Sequence, residues 1–103
     1  MKISKSDKII FKQMMDKTRA CLRNTNPTTH SGQIKCETAL FSEGNDYTYH
    51  THPNGVDFPS QADIDTTAKF KKKYLMIGLV PFREVVIWGD YPKYDKMLAK
   101  FKV

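Results

Sequence analysis

The chain is predicted to fold as one α/β domain, and three segments carry that prediction. An amphipathic stretch up to about residue 23 has helical spacing, residues 47–52 and 74–80 have the content of strands, and a second helical segment opens at Ser60 between them. With 103 residues there is room for a single domain, 1–103, and none for a separate recognition domain.

Taken in order, Met1 to Ser4 reads as a short strand, and Ser6 or Asp7 caps a helix that runs to about Arg23. Ile9, Ile10, Met14, Thr18 and Cys21 fall on one side of it, and Phe11, Met15 and Leu22 widen the stripe into a core face. Asn24 to Gly32 is polar and contains Pro27, which predicts a loop. Ile34 to Phe41 and Tyr47 to His52 are predicted as strands of a hairpin around Ser42-Glu43-Gly44-Asn45-Asp46. Antiparallel partners across a turn near Gly44 pair Glu37 with Tyr49 to Thr51, beside His50, and leave Glu43 at the far end.

Asn54 to Pro59 reads as a loop, and Ser60 opens a helix to about Lys73 with Ile64, Ala68 and Phe70 turned inward. Ser60-Gln61-Ala62-Asp63 has the form of a capping box with Asp in the place of Glu or Gln. Tyr74 to Val80 is apolar enough for a strand covered on both faces, and Glu84 to Trp88 is another strand after a turn at Pro81. In Pro92 to Val103, Tyr94 to Leu98 suits a helical turn, while Ala99, Phe101 and Val103 alternate like a strand.

The formal net charge is +6, from 17 Lys and Arg against 11 Asp and Glu, a surplus that suits an acidic partner but is too small to name nucleic acid. Lys69, Lys71, Lys72 and Lys73 interleave with Phe70 and Tyr74, and are read as the solvated end of a helix rather than a nucleic-acid patch. No apolar run approaches the roughly 20 residues a membrane span needs, and Met1-Lys2 leads into no signal-type core, so a soluble cytoplasmic protein is expected. In that setting Cys21 and Cys36 are expected to be reduced, buried thiols. His30, alone in a polar loop, is read as a surface residue.

The chemistry concentrates in His50-Thr51-His52-Pro53, followed by Ser60 and Asp63. Residues two apart on a strand point the same way, so both imidazoles can hold one metal ion. Asp63 in the first turn of the next helix supplies a third ligand, and three protein ligands leave a zinc ion one position for water. Glu37 on the neighbouring strand is the candidate general base.

His50-Thr51-His52-Pro53 with Pro59-Ser60-Gln61-Ala62-Asp63-Ile64 resembles the signature of the JAMM, or MPN-plus, metalloproteases. The likeness extends over the opening segment with the first helix, and from Tyr47 to about Trp88. It implies a three-layer α/β/α sandwich with a mixed sheet, similar to cytidine deaminase. It also implies one zinc ion and hydrolysis of isopeptide or peptide bonds after a ubiquitin-like modifier. In that resemblance His50, His52 and Asp63 are the zinc ligands, Ser60 stabilises the oxyanion, and Glu37, in the setting Glu37-Thr38-Ala39-Leu40-Phe41, is the catalytic glutamate. Only twelve residues separate Glu37 from His50, fewer than the family usually has, and Ala39 stands near where a glycine is familiar. The expected substrate is a modifier or protein conjugate whose extended C-terminal tail lies along the site as an added strand.

Three other readings compete with this one. A PHP-type phosphoesterase needs further histidines downstream, and none follows His52. A non-catalytic scaffold or binding module of the same fold would be expected to lose ligands that are all present here. A basic nucleic-acid-binding protein would be indifferent to the histidines. Oligomeric state is not legible in the sequence.

Overall fold

The computed structural model describes residues 3–25, 30–41 and 43–103. Met1 and Lys2 of the expected first strand, Pro27 of the expected loop and Ser42 of the hairpin turn lie outside the described residues. The described elements are α1 (Lys5–Asn24), α2 (His30–Cys36), β1 (Ala39–Phe41), β2 (Tyr47–His52), α3 (Gln61–Lys69), β3 (Tyr74–Leu79), β4 (Glu84–Gly89) and β5 (Lys96–Lys102), with a 3₁₀ turn at Val80–Phe82. The five strands form one mixed sheet in the order β1-β2-β3-β4-β5, parallel only between β2 and β3, where α3 is the crossover.

Side-chain alternation distributes the core over both faces of the sheet. Tyr47 and Tyr49 of β2 join Met76, Val85 and Ile87 under Phe11 and Met15 of α1, where Phe11 stacks on Tyr49 at 4.3 Å between ring centroids. On the other face Leu75, Ile77, Leu79 and Val86 pack with Tyr94, and Ile64 and Ala68 of α3 cover them. Gly78 makes the first face possible, because a Cβ there would collide with the Tyr49 hydroxyl. Burial of large apolar side chains at roughly 1.5–3 kcal/mol each makes this central sheet the stable part of the molecule.

Several local expectations are corrected. The α1 cap is Ser4, whose Oγ accepts the Asp7 N–H at 3.0 Å, so Ser4 belongs to a helix start and not to a strand, and neither Ser6 nor Asp7 is the cap. The inward stripe is Phe11, Met15 and Thr18 at i, i+4, i+7, while Ile9 and Ile10 are 52% and 37% exposed. The segment expected as strand Ile34–Phe41 is divided: His30–Cys36 is helix and only Ala39–Phe41 pairs with β2. That helix also replaces the end of the expected loop, and His30 opens it.

α3 ends at Lys69, short of Lys73, because Lys71 adopts the left-handed conformation (φ 52°). Lys72 N–H then bonds the Thr67 carbonyl and Lys71 N–H that of Ala68, a Schellman closure that turns Phe70 outward, 53% exposed. In the C-terminal segment the strand alternative is the one formed. The thiol expectation is overturned: Cys21 and Cys36 form a disulfide, since α2 packs back on α1 and brings their Cα atoms to 5.5 Å. No helix among the described residues is long and apolar enough to cross a membrane.

Candidate metal centre

β2 is buried along its whole length, and its alternation sends Thr48, His50 and His52 towards α3 while Tyr47, Tyr49 and Thr51 face α1. His50 and His52 are 8% and 9% exposed. They sit at the carboxyl end of the parallel pair, where α/β sheets leave a crevice. Across it stands the first turn of α3, fixed by a full capping box: Ser60 Oγ accepts the Asp63 N–H at 3.2 Å, and Asp63 Oδ2 accepts the Ser60 N–H at 2.9 Å. A further tie, Thr48 Oγ1 to Thr67 Oγ1 at 2.7 Å, docks α3 on the strand.

This docking brings three ligand-type atoms together. His50 Nε2 lies 2.8 Å and His52 Nε2 3.1 Å from Asp63 Oδ2, and the two ring nitrogens are 3.0 Å apart. Ligand atoms around a tetrahedral zinc with bonds of about 2.0–2.1 Å stand roughly 3.3 Å from one another, close to this triangle.

The orientation of His52 is set from behind. Its Nδ1 lies 2.7 Å from the Val56 carbonyl, which can only accept, so Nδ1 carries the proton and a neutral His52 points a bare Nε2 lone pair at Asp63 Oδ2 and His50 Nε2. A lone pair facing a carboxylate oxygen is repulsive unless Nε2 takes up a proton or a metal cation sits among the three atoms. The backbone that presents Val56 is a tight turn: Gly55 N–H bonds the His52 carbonyl, Gly55 has φ +78°, and Val56 N–H bonds Asn54 Oδ1. Trp88 Nε1 anchors the next residue through the Asp57 carbonyl at 2.8 Å.

In the absence of metal the same proximity couples the protonation of the three groups. Burial by itself lowers the His52 imidazole, but the Asp63 hydrogen bond, the Val56 carbonyl and the charges of Asp63 and Glu37 together raise it above its usual value. Burial likewise favours a protonated Asp63, yet the hydrogen bonds from His50 and His52, the His50 charge and the Ser60 N–H hold it well below the usual carboxylate range. The group His50, His52 and Asp63 can hold a metal ion, with all candidate ligand atoms within 4.8 Å of one another, and this donor set is compatible with zinc without being peculiar to it.

Two adjoining cavities of about 290 and 350 Å³ flank the triad. Glu37 lines both, with His50 and Asp63 in the first and with His52, Ser60 and Asp63 in the second. The hairpin register places it slightly differently from expectation. Ala39 is the residue opposite His50, and Glu37 precedes the strand on the side of His52. Ser60 keeps its cap role and its place in the cavity wall together, since accepting one N–H leaves its own hydroxyl proton to donate. Ile34 of α2 and Ala62 of α3 face both cavities, with Phe41 at one end and Phe58 at the other.

No family model, curated protein or solved structure matches the chain. The site therefore stands on its own geometry. Two of its supports escaped the sequence pattern: the Val56 carbonyl, a backbone atom with no side-chain signature, and the Thr51 hydroxyl, whose only signal is that alternation turns it away from the flanking histidines.

Proposed function

We propose that the protein is a zinc-dependent hydrolase of the JAMM, or MPN-plus, type that cleaves an isopeptide or peptide bond after a ubiquitin-like modifier or a similar C-terminal tail. The observation that carries this reading is the convergence of His50 Nε2, a tautomer-fixed His52 Nε2 and Asp63 Oδ2 within 3.1 Å of each other, in a crevice that Glu37 also lines. Zinc bound there supplies a Lewis acid and a water acidic enough to ionise near neutral pH. Glu37 takes the proton of the attacking water and returns it to the leaving amine nitrogen. The Ser60 hydroxyl donates to the carbonyl oxygen as negative charge develops there, a contribution of about 3 kcal/mol for one well-placed donor.

The fold is consistent with the three-layer α/β/α sandwich of that family, since α1 and α3 cover opposite faces of the sheet. β1 is an edge strand of three residues that begins two residues after Glu37, which suits a substrate tail added to the sheet beside the base. The opposite edge, β5, carries Lys96, Lys100 and Lys102, the kind of charge that discourages strand addition. A cytoplasmic location belongs to the same reading, and there the Cys21–Cys36 disulfide would face a reducing environment.

The test is metal analysis of the purified chain coupled to a cleavage assay on ubiquitin-like conjugates. The reading expects one zinc per chain and cleavage abolished by chelator. Zinc binding without cleavage would favour the non-catalytic binding module instead.

A further inference from the structure

Glu37 follows a seven-residue helix that contains a glycine and precedes a three-residue edge strand. Neither element is long enough to hold its own conformation, since isolated helices below about 12 residues are marginal in water. Its position therefore depends on what the flanking residues are tied to. Thr51 Oγ1 accepts the Thr38 N–H at 2.9 Å and lies 2.9 Å from Thr18 Oγ1 of α1, and the Thr51 N–H returns a bond of 2.9 Å to the Thr38 carbonyl. Thr18 and Thr51 are both fully buried. On the other side Cys36, the residue before Glu37, is bonded to Cys21 of α1, and the Glu37 N–H closes on the Ile34 carbonyl.

Both ties lead to one helix. Thr18 and Cys21 are three residues apart on α1 and so share a face. Thr51 stands between the two histidines on β2, which sets the backbone of Thr38 against the same strand that carries the ligands.

We infer that α1 clamps the Glu37 segment at two points, Thr18–Thr51–Thr38 after it and Cys21–Cys36 before it, so that Thr51 is a positioning residue for Glu37 and the covalent half of the clamp opens on reduction. The catalytic consequence rests on the hydrolase reading above; the clamp itself does not. Opening by a dithiol such as dithiothreitol takes two exchanges. One thiolate attacks the Sγ of Cys21, the less buried of the two residues, and Cys36 leaves as a thiolate and takes a proton. The second thiol of the reagent then displaces Cys21, so the reagent ends as a disulfide and the protein holds two thiols.

The zinc-loaded full chain, its Thr51→Val and Thr51→Ser variants, and wild type with and without dithiothreitol provide the test, read by amide hydrogen exchange at Glu37 and Thr38, zinc content and amide hydrolysis. The clamp predicts at least tenfold faster exchange at these two amides in Thr51→Val and in the reduced wild type, with one zinc per chain retained. It also predicts a kcat at least tenfold lower with KM within twofold, and recovery of both in Thr51→Ser. A Cys21→Ser/Cys36→Ser chain should behave as the reduced wild type and ignore the reductant. Unchanged exchange in both Thr51→Val and the reduced protein overturns the clamp, and so does loss of zinc in Thr51→Val, which would mean that Thr51 acts through the ligand strand. Should Thr51→Val fail to fold, unchanged exchange in the reduced wild type is by itself sufficient to overturn it. A wild type that cleaves no amide removes the hydrolase reading and the kcat prediction with it, while the exchange rates still decide the clamp.

Discussion

Replacing Asp63 with Asn separates the two jobs that residue performs. The amide oxygen of Asn can still accept the Ser60 N–H, and the backbone N–H at 63 still reaches Ser60 Oγ, so the cap geometry of 2.9 and 3.2 Å survives and the cap itself should lose no more than about 1 kcal/mol, in addition to the loss of the Asp63 pairing with the two histidines. What disappears is the charge that faces both Nε2 atoms at 2.8 and 3.1 Å. A ligand that binds only the folded state stabilises by RT ln(1 + [L]/Kd), about 4 kcal/mol at a free zinc concentration 1,000-fold above Kd. For a domain of about 100 residues each kcal/mol moves Tm by roughly 4–8 °C, so wild type should gain on the order of 16–30 °C. A hundredfold weaker site in Asp63→Asn at the same zinc concentration gains only about 1.4 kcal/mol, or roughly 6–11 °C. Calorimetry in zinc buffers reads both numbers. An equal zinc shift in the two proteins, or none in wild type, would refute the assignment of Asp63 as a metal ligand.

Gly55→Ala places a Cβ 2.7 Å from the Phe82 ring at a residue with φ +78°, so a loss of about 1–2 kcal/mol in urea unfolding is expected. By moving the Val56 carbonyl away from His52 Nδ1 it should also weaken zinc binding by roughly 10–100-fold, which a competition titration with a chromophoric chelator would measure. The metal-free protein should show a stability window in pH. His52 is raised on folding, so its contribution is complete below the ordinary histidine value and is lost as pH rises through the folded value; Asp63 is depressed, so its contribution is present above the ordinary carboxylate value and fades only in stronger acid. Urea midpoints of the chelated protein should therefore be highest between about pH 4 and 6.5, while zinc affinity should rise with pH across the upper boundary because the ligands must shed protons. A zinc affinity that does not change from pH 5 to 8 would contradict this.

What was legible in the sequence was local. The alternation of Tyr47 to His52, the capping box at Ser60 and Asp63, and the apolar run at Tyr74 each have a short-range cause, and each forms as its pattern requires. The assembly of His50, His52 and Asp63 follows from those elements, because a parallel β2-α3-β3 unit returns the start of α3 to the carboxyl end of β2. The misses have longer-range causes. His30–Cys36 is too short and too glycine-containing to announce itself as a helix, and what marks it in the fold is a disulfide to α1 fifteen residues away. α3 stops early at a left-handed lysine, a conformation that Lys71 adopts where hydrogen bonds from Lys71 and Lys72 close the last turn. The apolar stripe on α1 is wider than the buried face, which keeps Phe11, Met15 and Thr18 and leaves Ile9 and Ile10 out, because Ile9 and Ile10 are as apolar as the buried residues and only the sheet beneath decides which part of the stripe turns inward.

The most direct test of the hydrolase reading is Glu37→Gln, assayed for bound zinc and for cleavage of a ubiquitin-like conjugate in parallel with wild type. The account predicts one zinc in each protein, chelator-sensitive cleavage by wild type, and a turnover in the variant lower by about 10²–10⁴-fold, the usual range for loss of a general base. Equal turnover in the two proteins, or a zinc-loaded wild type that cleaves no amide bond, would contradict it.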